Sequence, residues 1–127
     1  FPEPSFPDGM DVEVFSMAAL GRAYRKATLA SEREHVTAYF YKHPDRFRCS
    51  GITRSPSLAQ RRLTVDQPED LQVMQALYDC EGKEHLFDLD MASIVDALDR
   101  LPASLKTNQA IARNEGYQIS LGKDQTI

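Results

Sequence analysis

The stretch RRLTVDQPEDL, residues 61–71, gives the clearest local indication of fold in this chain. Leu63 and Val65 alternate with polar residues, which is the pattern of a short β-strand. Pro68 follows, and proline is favoured in the first turn of a helix because its missing N–H needs no partner there. The stretch therefore predicts a strand that leads directly into a helix, as in layered proteins of the α/β or α+β class.

Further strand and helix patterns run along the rest of the chain. Short alternating segments predict strands at residues 11–15, 47–52 and 61–66. Apolar residues three and four positions apart predict amphipathic helices at residues 17–27, 32–43, 68–80 and 94–101. Three short strands would leave their edges without hydrogen-bond partners, so we expect part of the fold to lie outside this chain.

Length, net charge and the distribution of apolar residues limit the classes of protein to which this chain can belong. The 127 residues suffice for about one domain, which we divide into residues 1–102 and a tail, 103–127, of weak periodicity. Fifteen Lys and Arg against 19 Asp and Glu give a net charge of -4, which argues against binding to nucleic acid or to an anionic membrane. No apolar run approaches the roughly 18 residues of a membrane span.

The first residue and the two cysteines lead to expectations about the origin of the chain and its cellular compartment. Phe1 is neither an initiator methionine nor the start of a signal peptide, so we expect a fragment of a longer protein. Cys49 and Cys80 are too few for a disulfide framework. We therefore expect reduced thiols and a cytoplasmic protein.

Asp66 is the candidate metal ligand. It lies at the end of a predicted strand and before a predicted helix, where ligands of open α/β sheets bind. Carboxylates suit Mg²⁺, which usually takes one or two of them together with substrate phosphates. The alternative is that Asp66 only caps the helix, with Glu69 completing a capping box. The two roles are compatible.

Five other residues are candidates for substrate binding. Asp8 lies in a predicted turn and Glu13 in the predicted strand that follows. Both could bind a cation or sugar hydroxyls, or belong to a solvated loop that enters an edge strand. Arg33 and His35 begin a predicted helix and could bind a carboxylate or phosphate, or be ordinary surface residues. Arg62 precedes Asp66 and could bind a phosphate, or be a solvated arginine. The glycines form no recognised phosphate-binding loop.

Several of these residues lie in segments that together resemble a known family. The segments are FPDGMDVEVFS at 6–16, REHVT at 33–37, RLTVDQPEDL at 62–71 and RNEGY at 113–117. In this order they resemble the C-terminal half of the cytidylyltransferase family of spore-coat polysaccharide biosynthesis protein F. That family is related to the CMP-Kdo and CMP-sialic acid synthetases.

The resemblance implies an expected fold, reaction and metal. The fold is the C-terminal part of the three-layer α/β/α nucleotide-diphospho-sugar transferase fold, and related enzymes form homodimers. The reaction joins CTP to a sugar, usually an acidic one, and releases pyrophosphate with Mg²⁺. Asp66 matches a family metal ligand, whereas the next residue, Gln67, is commonly Thr in the family.

The chain lacks the half of the family that binds the nucleotide. The glycine- and arginine-rich loop and the first metal-binding aspartate have no counterpart here, so we expect this fragment alone to be inactive. An alternative function is a non-catalytic dimerisation or sugar-binding module whose unpaired strands join a separate partner.

Overall fold

The computed structural model describes residues 3–82 and 88–126. Over these ranges the α-helices are α1 Met17–Lys26, α2 Ala30–Glu34, α3 Ala38–Lys42, α4 Pro68–Glu81, α5 Met91–Arg100 and α6 Glu115–Gly122. Short 3₁₀ helices lie at Pro44–Arg46, Ala103–Leu105 and Thr107–Ala110.

The expected α/β class, with a three-layer α/β/α sandwich, is wrong for this chain. Over the described residues, strand pairing consists of two isolated bridges, Asp8 with Arg62 and Leu29 with Thr126, and no sheet forms. Residues 11–15 have no strand partner, and the side chains of Val12 and Val14 are 86% and 93% exposed. A strand needs a neighbour for its backbone N–H and C=O groups, and alternation of side chains does not supply one.

Three of the predicted helices are confirmed, and their ends have local causes. The Ser16 hydroxyl accepts a hydrogen bond from the Ala19 N–H at 3.1 Å and so caps α1. The Asp90 carboxylate caps α5 in the same way, because it accepts a hydrogen bond from the Ser93 N–H at 2.8 Å. Helix α4 begins at Pro68 and ends before Gly82, whose φ of 82° favours glycine.

The predicted helix at residues 32–43 is broken into two. Helix α2 ends at Glu34, and α3 begins at Ala38. His35 lies between them with φ -102° and ψ 87°, which is not a helical conformation. The adjoining Val36 and Thr37 are both β-branched and disfavour a helix locally.

The described chain divides into two compact units. Unit 1 contains Val12–Arg54 and Asn114–Ile127 together with the start of the chain, and unit 2 contains Ser5–Asp11 and Ser55–Arg113. The boundary expected between residues 102 and 103 therefore falls inside unit 2. In the described residues, no helix has the length and apolar character needed to cross a membrane.

Each unit has its own apolar core. In unit 1, α1 packs on α3 through buried residues that comprise Ala23, Ala27, Tyr39 and Phe40. In unit 2, α4 packs on α5 and on Leu101, the residue that follows α5. The buried residues of this core are Val73, Leu77, Ala97, Leu98 and Leu101. Burying such side chains contributes about 25 cal/mol per Å² of apolar surface, so these helices are stabilised mainly by packing.

Candidate functional site

A buried ion-pair cluster in unit 2 joins two of the segments singled out by sequence, residues 6–16 and 62–71. The Arg62 guanidinium donates to Asp70 from Nε to Oδ1 at 2.8 Å and from Nη2 to Oδ2 at 2.9 Å. Its Nη1 donates to Asp8 Oδ2 at 3.1 Å. Asp70 is fully buried and Arg62 is 5% exposed. Bidentate arginine–carboxylate pairs of this kind are strong and directional.

Backbone pairing places Asp8 beside Arg62. The Asp8 N–H donates to the Arg61 carbonyl at 2.8 Å, and the Leu63 N–H donates to the Asp8 carbonyl at 2.7 Å. The next residue, Gly9, has a φ of 94°, and a Cβ built on it would lie 2.6 Å from the Thr64 nitrogen. Glycine is thus required for the close approach of these two segments.

Asp70 also caps helix α4. Its Oδ2 accepts the N–H groups of Asp66 and Gln67 at 3.0 and 2.9 Å, and its Oδ1 accepts from Asn108 Nδ2 at 2.8 Å. The hydrogen bonds from Arg62, followed by those from the backbone and Asn108, hold the pKa of Asp70 far below its usual range despite burial. The carboxylate is therefore ionised and saturated with donors.

The same contacts act on Arg62. Its pKa is raised, chiefly by the hydrogen bond to Asp70 and against the effect of burial. Because carboxylates surround its Nε, Nη1 and Nη2 atoms, the observed role of Arg62 is to hold Asp8 and Asp70 together. Contact between Arg62 and a substrate stays a prediction.

Asp66 lies at the edge of this cluster and faces solvent. Its side chain is 68% exposed, and its Oδ2 lies 3.6 Å from Arg62 Nη2 and accepts from Thr64 Oγ1 at 3.2 Å. The capping role considered for Asp66 and Glu69 is filled by Asp70. Asp66 is thus an accessible carboxylate at the beginning of α4.

The cluster does not make a complete Mg²⁺ site. Asp66 offers an exposed carboxylate, but Asp8 and Asp70 are already paired with Arg62. Among residues 3–82 and 88–126, no group of three or more His, Cys, Asp or Glu side chains is arranged to hold a metal. A magnesium ion at Asp66 would need most of its oxygen ligands from a substrate or from residues outside this chain.

The remaining predicted residues belong to unit 1 and have separate local partners. The Arg33 guanidinium lies over the Tyr24 ring at 4.2 Å, a cation–π contact. His35 Nε2 lies 3.0 Å from Ser120 Oγ. Glu13 accepts a hydrogen bond from the Tyr41 hydroxyl. The fold thus brings Asp8, Arg62 and Asp66 together in unit 2. The other three predicted residues, Glu13, Arg33 and His35, belong to unit 1.

Unit 1 also contains a basic cleft that the sequence reasoning missed. It has a volume of about 240 Å³ and is lined by Arg22, Arg25, Lys26, Tyr39, Arg46 and Phe47. A usable signal was present: helix α1 carries three cations in its last five residues and no acidic residue. The fully buried Asn108 and Asp70 were also missed, because their burial and their mutual hydrogen bond join segments 38 residues apart.

Comparison with known proteins identifies a relative without stating an activity. The chain is 30% identical over 112 residues to a protein of Methanocaldococcus jannaschii that is named "Uncharacterized protein MJ1063". The match takes in 87% of this chain and 44% of the archaeal protein, so the chain spans less than half of that relative. No protein-family model and no solved structure gives a significant match.

Proposed function

We propose that this chain is part of a cytidylyltransferase-like nucleotidyltransferase that activates an acidic sugar with CTP for surface polysaccharide biosynthesis. The supporting observation is the pairing of Arg62 with Asp8 and Asp70, which joins two of the segments that carry the family resemblance. This pairing leaves Asp66 exposed at the beginning of α4. The proposal concerns chemistry and does not require a sheet in this chain.

In the proposed reaction, a hydroxyl oxygen of the sugar forms a bond to the α-phosphorus of CTP. The bond from that phosphorus to the bridging oxygen of the β-phosphate breaks, pyrophosphate leaves, and the hydroxyl proton passes to solvent. Such transfers depend mainly on positioning and on neutralising phosphate charge. Arg33, His35 and Arg62 are the proposed contacts to the acidic sugar or a phosphate, and Glu13 is a proposed contact to sugar hydroxyls. Asp8, the other proposed contact to sugar hydroxyls, would have to give up part of its pairing with Arg62.

The isolated chain is expected to be inactive in this reaction. It offers one exposed carboxylate at the cluster and has no glycine-rich loop to hold a triphosphate. The Mg²⁺ implied by the resemblance therefore remains a proposal for the full-length protein. We further propose a cytoplasmic location, which agrees with the free, exposed thiols of Cys49 and Cys80.

The test is pyrophosphate release by the full-length protein, with CTP, UTP, GTP or ATP and a panel of acidic sugars. We expect release with CTP, and we expect Asp66→Asn to reduce it at least 100-fold at saturating substrates, as a lost transition-state contact would. Glu69→Gln is the matched control, since it removes an exposed carboxylate from the first turn of the same helix. Equal rates for Asp66→Asn and the unmodified protein would show the proposal to be wrong.

A second candidate, a dimerisation module, is favoured by the exposure of Val12 and Val14. An extended segment with free backbone groups and apolar side chains can add to a strand of another chain. Sedimentation equilibrium would then show a dimer that Val12→Lys with Val14→Lys converts to a monomer. Leu71→Lys, on an exposed position of α4, should leave the dimer intact. A monomer at all concentrations excludes this candidate.

A further inference from the structure

The basic cleft of unit 1 concentrates positive charge in a protein of net charge -4. Four of its six lining residues are cations: Arg22, Arg25, Lys26 and Arg46. Within the described part of the chain, no carboxylate lies within ion-pair distance of the three cations from α1. Asp45 Oδ2, which is exposed, lies 4.0 Å from Arg46 Nε. The cations repel one another, and an anion in the cleft would relieve that repulsion.

Two of the three guanidinium groups rest against the aromatic rings of the cleft. The Arg22 guanidinium carbon lies 4.8 Å from the centre of the Phe47 ring. Arg46 lies 6.0 Å from the centre of the Tyr39 ring and donates from Nη1 to the Tyr39 hydroxyl at 2.6 Å. These contacts restrict the arginine side chains before any ligand arrives, which reduces the entropy lost on binding.

The aromatic rings of the cleft are already in contact with neighbouring side chains. Phe47 packs edge-on against Phe40 with ring centres 4.5 Å apart, and Tyr39 lies 4.2 Å from the ring centre of His43. Tyr39 itself is only 3% exposed. Since single-stranded nucleic acids and nucleotides usually stack their bases on open aromatic faces, this cleft suits charge recognition instead.

We propose that this cleft binds a small polyanion with two or more phosphate groups, of the diphosphate class. The cleft has a volume of about 240 Å³ and is lined by four cations, which is enough charge for more than one phosphate group. Guanidinium groups match phosphate oxygens in charge and in fork geometry. The inference goes beyond the proposed reaction, because every residue that lines the cleft lies between positions 22 and 47. None of them is Asp66 or a member of the ion-pair cluster of Asp8, Arg62 and Asp70.

The test is a titration of the ¹⁵N-labelled chain with inorganic pyrophosphate, followed by NMR, with inorganic phosphate as the weaker comparison. We expect saturable shifts confined to the amides of residues 22–26 and 39–47, and affinity that falls as salt is raised. Arg25→Gln should weaken pyrophosphate binding about five-fold, which corresponds to one unit charge at about 4 Å in water. Arg25 is exposed, so this variant should fold, and circular dichroism checks that it does.

Lys123→Gln is the matched control, because it removes one exposed cation of unit 1 that does not line the cleft. Its affinity should stay within two-fold of that of the unmodified chain. Equal weakening by both variants, or shifts that do not saturate, would overturn the proposal. Tighter binding of a single-stranded oligonucleotide, with shifts extending beyond the cleft, would overturn it in favour of nucleic-acid binding. Each outcome is independent of pyrophosphate release by the full-length protein.

Discussion

Asp70 and Arg62 form a bidentate ion pair inside unit 2, with nitrogen–oxygen distances of 2.8 and 2.9 Å. The two residues lie in different local structures: Arg62 is in the extended chain before α4, and Asp70 is in the first turn of α4. The pair therefore fixes where the helix begins relative to the chain that precedes it. It also positions Asp8, which reaches the same guanidinium from residues 5–11.

Asp70→Asn should destabilise the protein strongly. The substitution removes the bidentate acceptor and leaves the buried Arg62 with Asp8 and the exposed Asp66 as its remaining carboxylates. Breaking a buried pair in this way destabilises by about 3–5 kcal/mol. Urea unfolding followed by circular dichroism measures this. Glu69→Gln, one residue earlier and exposed, should change the free energy of unfolding by about 1 kcal/mol or less. Similar losses for the two variants would contradict the structural role given to Asp70.

Stability should fall on acidification, and Asp70 should contribute to the fall. Its folded pKa lies well below the value of about 3.9 expected in the unfolded chain, because Arg62 donates to the ionised form. Below about pH 5 the unfolded state binds more protons, so stability is fully present above the unfolded pKa and is lost as pH falls toward the folded value. Asp124 and Asp90, whose pKa values are also lowered, contribute with the same sign.

The measurement is the free energy of unfolding in urea between pH 2 and pH 7. The unmodified chain should lose stability steadily below pH 5, and Asp70→Asn should show a smaller slope over that range. An unchanged slope in the variant would mean that Asp70 does not titrate between folded and unfolded states as argued.

Gly9→Ala should destabilise unit 2. The φ of 94° disfavours any side chain, and the new Cβ would lie 2.6 Å from the Thr64 nitrogen, so the bridge between Asp8 and Arg62 must open. We expect a loss of about 2 kcal/mol or more, given about 1–3 kcal/mol for the strained backbone alone. Gly116→Ala is the control, because it lies in α6 with no atom within 4 Å of the new Cβ and should stabilise by up to about 1 kcal/mol.

Asp124→Asn should loosen the end of the chain. Asp124 accepts from the Ser31 N–H at 2.9 Å and from Ser31 Oγ at 2.8 Å, and it pairs with Lys42 at 3.3 Å. These bonds hold residues 123–126 against α2. Hydrogen exchange of the amides in residues 115–126 should become faster in Asp124→Asn and stay unchanged in Lys123→Gln. Unchanged exchange in both variants would contradict this attachment.

The sequence by itself determined helices α1, α4 and α5. Each has an apolar stripe and terminal signals within a few residues of its ends, such as Ser16 before α1 and Pro68 and Gly82 around α4. Helical hydrogen bonds join residues four apart, so the information that specifies a helix is local. The accessible Asp66 was found for the same reason, since its place before α4 depends only on its neighbours in sequence.

Only the tertiary structure decided which extended segments pair and which charges become buried. The strands predicted at 11–15, 47–52 and 61–66 did not form a sheet, because alternation of side chains does not specify a hydrogen-bonding partner. Arg62 and Asp70 are close in sequence. However, the hydrogen bonds from Arg62 to Asp8 and from Asn108 to Asp70 join residues 54 and 38 positions apart, and these contacts accompany the burial of the pair. Such contacts depend on loop closure and packing, which no short window of sequence contains.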